Sequence, residues 1–173
     1  MLVMDDMVDR KALIEASGLK TGRVLDVGMG SCGCMAFFLA SEGFQVMGID
    51  HSPDAVRKSR QDAKKASFTG TFEARVANAE HLPFGADEFD AVFAYHSLHH
   101  MENVELVIAE MFRVCKPLGF VLIADLNGNG RKVYQHESDD GELLKTIERC
   151  LAEYTPFIRK VEMEYNFMFI CQK

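Results

Sequence analysis

The sequence predicts an α/β fold, a sandwich of helices around a mostly parallel sheet. Three observations lead there. Short apolar runs rich in β-formers alternate with helix-patterned segments along the chain, the signature of strand–helix–strand units. The first such run, Val24–Val27, breaks directly into a glycine-rich turn that closes at Gly33. Two β-like runs, residues 158–164 and 167–171, leave room only for a tight turn and should pair as a hairpin.

Taken in order, residues 4–17 read as a helix. Met4, Met7, Val8 and Ile14 recur at helical spacing, Asp5 and Asp6 favour its start, and Gly18 suits its end. Val24–Val27 is a strand buried on both faces, residues 35–41 an apolar helix, and residues 45–49 a second strand. Ser52-Pro53 opens the next helix, with serine at the cap and proline at the first helical position; it should run to about Ala66. Residues 71–76 and 89–94 are strands three and four, separated by a loop over 80–87. Asn103 caps a helix carrying Val104, Val107, Ile108, Met111 and Val114, and Pro117 is expected to stop it. Residues 119–124 form strand five. The polar stretch Asn127-Gly-Asn-Gly130 is expected to be a loop, and Ser138 to start a helix with Leu143, Leu144, Ile147, Leu151 and Tyr154 on one side.

Composition narrows the function classes. The 173 residues suffice for one domain with a substantial core, and 48% hydrophobic with 26% charged residues is the make-up of an ordinary soluble globular chain. The formal net charge of −7 and the absence of a basic cluster argue against a nucleic-acid partner, which needs cations to neutralise phosphates. No apolar run approaches the ~20 residues of a membrane helix. The first residues carry acids where a secretion signal carries bases, and the five cysteines are odd in number and irregularly spaced. The expectation is a cytoplasmic protein with reduced thiols and no membrane partner.

Gly28, Gly30 and Gly33 match G-x-G-x-x-G, and Asp50 closes the second strand twenty residues beyond Gly30. This is how a βαβ unit holds an adenosine: glycines admit the ligand to the backbone, and the acid meets the ribose hydroxyls. The spacing fits a dinucleotide or S-adenosylmethionine. Asp26 tilts the choice, because a carboxylate two residues before the turn repels a pyrophosphate and attracts an ammonium. The chain is also short for the second domain that dehydrogenases commonly carry.

The stretch Val24-Leu-Asp-Val-Gly-Met-Gly30 resembles motif I of class I S-adenosylmethionine-dependent methyltransferases. The resemblance continues in order through Gly48-Ile-Asp-His-Ser-Pro53, Ala77-Asn-Ala-Glu-His-Leu-Pro-Phe84 with Phe89-Asp90, Ser97-Leu-His-His-Met101, and Arg113-Val-Cys-Lys-Pro-Leu-Gly119 with Ile123-Ala-Asp125. Over about residues 20–126 it is similar to the subgroup related to ubiquinone/menaquinone-biosynthesis methyltransferases. The resemblance implies a Rossmann-like three-layer sandwich: a mostly parallel seven-stranded sheet with a C-terminal antiparallel hairpin. It also implies that Asp26, Gly28, Met29 and Gly30 line the methionine part of S-adenosylmethionine and that Asp50 binds the ribose. His51 would lie against the adenine, with Asn78 and Ala79 at its edge. The chain departs from the family at Asn78, where aspartate is usual, at Cys32, where a third glycine is common, and at Leu118, where glycine usually precedes strand five.

The donor's methyl group should be presented at the carboxyl ends of the strands, where Tyr95-His-Ser-Leu-His-His100 follows strand four. Tyr95 is expected at the donor, and His96 or His99 as a general base, since imidazole titrates near neutrality; the alternative is that these histidines only finish a loop. No metal is expected: no carboxylate or cysteine in that segment completes a ligand set with His96, His99 and His100, and Cys32-Met-Cys34 is too closely spaced for ordinary zinc binding. Residues 131–136, with Tyr134 and His136, either close over a substrate or form a solvated loop.

The chain is thus expected to be a single domain over 1–173: an N-terminal helix to residue 20, a cofactor-binding core over 21–126, and a loop, helix and hairpin over 127–173. Its expected activity is methyl transfer from S-adenosylmethionine to a small-molecule acceptor, as a monomer or homodimer. A non-catalytic cofactor- or partner-binding module is the alternative. A nicotinamide-dependent oxidoreductase is a third reading, which Asp26 disfavours.

Overall fold

The computed structural model describes residues 2–137 and 141–173, with side chains described from residue 7 onward. Seven strands form one sheet: β1 (Arg23–Val27), β2 (Gln45–Asp50), β3 (Thr71–Val76), β4 (Phe89–Tyr95), β5 (Cys115–Leu126), β6 (Ile158–Glu162) and β7 (Asn166–Gln172). Among the described residues six α-helices accompany them: α1 (Leu2–Ser17), α2 (Cys34–Ser41), α3 (Pro53–Ala63), α4 (Val104–Val114), α5 (Gly128–Val133) and α6 (Glu142–Tyr154). The strand order is β3-β2-β1-β4-β5-β7-β6. The first five strands run parallel, while β7 pairs antiparallel with both β5 and β6.

Alternation along each strand sorts side chains to two faces. Val24, Val46, Phe93, Leu122 and Met168 pack on one face against Leu13 and Ile14 of α1 and Met35, Ala36 and Leu39 of α2. Leu25, Ile49, Val92, Val121 and Phe169 pack on the other against Val107, Ile108 and Met111 of α4 and Ile147 and Leu151 of α6. The arrangement is the expected three-layer sandwich with a C-terminal hairpin. Going from β1, the chain moves outward to β2 and β3, then crosses back to β4; this reversal opens a crevice at the carboxyl ends of β1 and β4.

Several elements differ from expectation. Met7 and Val8 of α1 are exposed, and the buried face is Asp9, Leu13, Ile14 and Ser17. α3 is capped by Ser52, whose hydroxyl accepts from the Ala55 amide at 3.2 Å, but it ends at Ala63. Pro117 does not stop α4. That helix ends at Val114, and Pro117 lies within β5, in an irregular stretch where pairing with β4 jumps from Phe89–Cys115 to Ala91–Phe120. The four residues between Cys115 and Phe120 face the single residue Asp90, so the strand must fold back on itself. Leu118 makes that turn with φ 64°, the left-handed conformation for which the family's glycine is suited. The Asn127–Gly130 segment is not a loop: the Asn127 side chain accepts from the amides of Asn129 and Gly130 and starts α5. The proposed helix start at Ser138 lies outside the described residues, as do the side chains of Met4, Asp5 and Asp6; α6 begins at Glu142 behind Gly141.

Candidate functional site

The site grows out of the turn after β1. The amides of Gly28 and Met29 both donate to the Ile49 carbonyl at 2.9 Å, which ties the turn to the end of β2. Gly28 has φ 74°, and a Cβ there would lie 2.7 Å from Cβ of Ser97. Ser97 in turn donates its hydroxyl to the Val27 carbonyl at 2.8 Å, so the ends of β1 and β4 are drawn together across Gly28. Gly30, φ 65°, has nothing within 4 Å of where a Cβ would sit. Its amide donates to Asp50 Oδ2 at 3.0 Å, and the Ser52 amide donates to Asp50 Oδ1 at 2.9 Å. Each carboxylate oxygen keeps a second lone pair for a ligand hydroxyl.

A cleft with two lobes opens above this turn. One lobe, of about 360 Å³, is bordered by Asp26, Gly28, Met29, Gly30, Tyr95 and His96, with Arg10, Cys32, Cys34 and His100 among the remaining walls. The other, of about 340 Å³, is bordered by Ile49, Ala77, Asn78, Ala79 and Glu80. Gly28, Asp50, His51, His100 and Met101 border both, so the lobes meet at Asp50.

Asp26 dominates the electrostatics of the first lobe. It is 1% exposed, and its Oδ2 has no hydrogen-bond partner among the described residues. Burial raises its pKa from 3.8 to about 7, against the opposing pull of the Ala36 amide and the Arg10 guanidinium and with the further push of Asp50. Arg10 reaches this lobe from α1 and lies 5.4 Å from the Tyr95 ring centre. A wholly buried carboxyl group beside a cavity invites a cationic ligand.

Beyond Tyr95 the chain turns sharply. His96 has φ 51°, and its ring stacks on Tyr95 at 4.3 Å. His96 Nε2 lies 2.7 Å from Asn166 Oδ1, so the amide oxygen accepts the Nε2 proton and Nδ1 is the basic nitrogen. Asn166 Nδ2 then donates to Asp9. His99 is placed differently. It does not border the cleft; its Nδ1 donates to Asp125 Oδ1 at 2.6 Å, and its side chain is 5% exposed. His100, which follows it, does border the cleft, and its pKa is lowered by burial and then by the neighbouring His99 and His136.

In the second lobe, Asn78 Oδ1 already accepts from the Glu80 amide at 2.9 Å, leaving one lone pair and the Nδ2 protons for a ligand. Ala79 is buried, while the His51 side chain is 89% exposed at the cleft's mouth. All the sequence-predicted cofactor residues therefore gather around one cleft, and His96 joins them; His99 does not. Sequence reasoning missed Arg10, Ser97, Met101 and the support of His96 by Asn166 and Asp9. A lone arginine on a polar helix and an asparagine seventy residues from its partner leave no local signal. Cys32 and Cys34, expected as reduced thiols, are joined in a disulfide at the rim of the first lobe. Cys115, Cys150 and Cys171 are free and buried, and burial pushes the thiols of Cys115 and Cys171 up to about 12.

Fold and site together define a Rossmann-like α/β domain with a two-lobed cleft at the β1–β4 crevice. Residues 25–123 match the family model described as a methyltransferase domain, and the chain belongs to that family. It is 30% identical over 141 residues to a ubiquinone biosynthesis O-methyltransferase of Thiobacillus denitrificans, covering 82% of this chain and 60% of that protein. It is also 30% identical over 118 residues to a ubiquinone/menaquinone biosynthesis C-methyltransferase of Geotalea daltonii, covering 66% of this chain and 50% of that one. The chain thus spans between half and three-fifths of the length of these curated relatives. Among solved structures, a SAM-dependent methyltransferase of Methanosarcina mazei superposes with a TM-score of 0.75 at 24% identity, covering 93% of this chain and 96% of that one.

The family implies S-adenosylmethionine as cofactor, and the residues present fit it. Asp26 offers an unpartnered buried oxygen to an ammonium, Gly30 leaves open the space that a Cβ would fill, and Asp50 offers lone pairs between the two lobes. Among the described residues no helix is long and apolar enough to cross a membrane.

Proposed function

We propose that this chain transfers the methyl group of S-adenosylmethionine to a small-molecule acceptor, acting in the cytoplasm as a monomer or homodimer with no nucleic-acid partner. One observation carries the reading: a two-lobed cleft whose lobes meet at Asp50, with the unpartnered carboxyl oxygen of Asp26 in one of them. The net charge of −7 speaks against a phosphate-backbone partner.

When bound, S-adenosylmethionine supplies a methyl group activated by its sulfonium. The protein's part is to bind, align and keep water out. Asp26 neutralises the amino group, and Arg10, in the same lobe, suits the carboxylate. Asp50 takes the ribose hydroxyls through its remaining lone pairs. Asn78, Ala79 and His51 hold the adenine. Tyr95 forms a wall beside the reacting end. His96, oriented through Asn166 and Asp9, presents Nδ1 as a base for an acceptor that must lose a proton. His99 is a weaker candidate for that role, because it stands away from the cleft.

Calorimetric titration tests the reading. S-adenosylmethionine and its demethylated product should bind, and NADH should not. NADH binding without S-adenosylmethionine binding would replace the proposal with the oxidoreductase reading. The Cys32–Cys34 disulfide in the glycine turn favours one second reading, a module that binds the cofactor without turnover. Tight donor binding with no methyl transfer across an acceptor panel, under both oxidising and reducing conditions, would select it.

A further inference from the structure

We propose that His99, His100 and His136 form a binding site for a divalent transition-metal ion of the zinc type, with Asp125 holding His99 in place. The three imidazoles come from two separate parts of the chain. Leu98–His100 is a single 3-10 turn after β4, and His136 follows α5. Their rings cluster with centres 3.9 Å apart for His99 and His100, 4.7 Å for His99 and His136, and 5.5 Å for His100 and His136. One nitrogen from each lies within 4.8 Å of the other two.

Two independent observations point to an ion rather than to simple stacking. The first is His99 Nε2, which is buried without any hydrogen-bond partner among the described residues. Because Nδ1 donates to Asp125, Nε2 carries the lone pair, and a buried acceptor left without a partner is costly. An ion resolves that cost.

The second observation is the support behind His99. Asp125 is fully buried, accepts the His99 Nδ1 proton at 2.6 Å and the His99 amide at 3.2 Å, and also accepts the Leu126 amide at 2.8 Å. A carboxylate behind a ligating imidazole is the usual outer partner of a zinc histidine: it fixes the tautomer and makes the outer nitrogen more basic. A general base built the same way would need its Nε2 open to a substrate, whereas His99 Nε2 is covered and its neighbours are two more imidazoles.

The ligand set selects the ion. Three imidazole nitrogens suit zinc and its neighbours and not magnesium or calcium, which take oxygen ligands. Zinc–nitrogen bonds of 2.0–2.1 Å put tetrahedral ligand atoms about 3.3 Å apart, so the 4.8 Å cluster must contract by up to about 1.5 Å. His99 is pinned, and side-chain rotation of the exposed His100 and half-buried His136 supplies the movement. Three protein ligands leave a fourth position for water or a ligand atom, the pattern of catalytic rather than structural zinc. His100 also borders both lobes of the cleft, so the ion would sit at its edge. The site rests on this cluster alone and stands whether or not the chain transfers methyl groups.

The chelator-treated, tag-free 173-residue chain is titrated with Zn²⁺ by calorimetry, and Co²⁺ is followed by visible absorption, which reports four-coordinate nitrogen ligation. One ion per chain is expected. His136→Ala and His100→Ala should each weaken Zn²⁺ binding by more than the roughly 10- to 100-fold expected for Asp125→Asn, with unchanged circular dichroism. A Cys32→Ser/Cys34→Ser variant should bind as the parent does. Absence of stoichiometric binding overturns the proposal. So does binding that survives both histidine variants, or that vanishes with the cysteine pair instead.

Discussion

The amide of Gly30 donates to the carboxylate of Asp50 at 3.0 Å, across twenty residues of chain. The glycine turn and the acid, which the sequence presents as two separate parts of a nucleotide-binding pattern, are one hydrogen-bonded unit. Asp50 also accepts from the Ser52 amide at 2.9 Å, and so it shapes both the loop after β1 and the start of α3. Gly30 adopts the left-handed conformation that favours glycine, and it carries no Cβ into the cleft. The acid is thereby held at the junction of the two lobes before any ligand arrives.

Replacing Asp50 should therefore do two things. Asp50→Ala leaves the Gly30 and Ser52 amides without their acceptor, which costs about 1–3 kcal/mol of stability. It also removes the proposed ribose contact, and S-adenosylmethionine affinity should fall at least about tenfold, or ~1.4 kcal/mol. Asp50→Asn keeps one acceptor oxygen and should lie between the two. Denaturant unfolding measures the first effect and calorimetry the second. Donor affinity that does not change in Asp50→Ala removes the ribose role.

Asp26 makes both stability and binding depend on pH. Its folded pKa of about 7 lies above the ordinary 3.8, so the folded protein holds a proton that the unfolded chain releases. This stabilising contribution is complete below about pH 4 and is lost as pH rises through 7; the loss is on the order of 4 kcal/mol. Asp26→Asn should abolish that slope, so that the difference in unfolding free energy between the variant and the parent grows from pH 4 to pH 7 and then levels. A cationic donor needs the ionised carboxylate. Its affinity for the parent should rise with pH and level above about 7, with proton release at lower pH, whereas Asp26→Asn should bind weakly and without this dependence. Calorimetry in buffers of different ionisation enthalpy counts the protons; a parent protein whose donor affinity is flat between pH 5 and 8 would falsify the role of Asp26.

Most of the fold was legible because its signals are local. Seven β-like runs, the Ser52-Pro53 helix start and the glycine turn each declare themselves within a few residues, and parallel order follows from alternation. The cleft proposed for the cofactor has local signals too: Asp26 and Asp50 lie near the ends of β1 and β2, and Gly28 and Gly30 in the turn after β1. What escaped depends on tertiary contact. Asp9 is buried and accepts from the Asn166 amide on β7, a long-range contact that no helical periodicity reveals. The Asn127 segment was misjudged because its polarity hid a cap, with its Nδ2 also donating to the Met163 carbonyl at 2.9 Å. His136 joins the His99 and His100 rings only through the course of the chain after β5, so no single segment signals the cluster.

Leu118 tests a departure from the family pattern. It is 76% exposed and held at φ 64°, a conformation that costs a side-chain-bearing residue about 1–2 kcal/mol. Leu118→Gly relieves that strain, and the greater freedom of glycine in the unfolded chain takes back about 0.4–1 kcal/mol. The net expectation is a stabilisation of about 0.5–1 kcal/mol, seen as a higher denaturant midpoint with an unchanged slope. A lower midpoint would show that Leu118 makes contacts that outweigh its backbone strain.

Arg10 and Asp26 should behave as one electrostatic unit. The guanidinium holds the Asp26 carboxyl below the pKa that burial alone would give it. In Arg10→Ala that restraint is gone, so Asp26 should take up its proton more readily and the rise of donor affinity with pH should move to higher pH. Donor affinity should also fall at pH values where Asp26 is ionised in both proteins, because the guanidinium proposed to meet the donor's carboxylate is gone. Arg10→Lys keeps the charge and should restore most of the pH midpoint while recovering less of the affinity, since an ammonium lacks the planar fork that pairs with a carboxylate. The neighbouring Lys11, whose side chain is 68% exposed and which pairs with Glu15, serves as control. Lys11→Ala removes the same formal charge from the same helix and should move neither quantity. Donor titrations from pH 5.5 to 9 on the four proteins decide the matter. A midpoint shift of equal size in Arg10→Ala and Lys11→Ala would mean that general helix charge, and not the placement of Arg10 beside Asp26, sets the ionisation of the buried carboxylate.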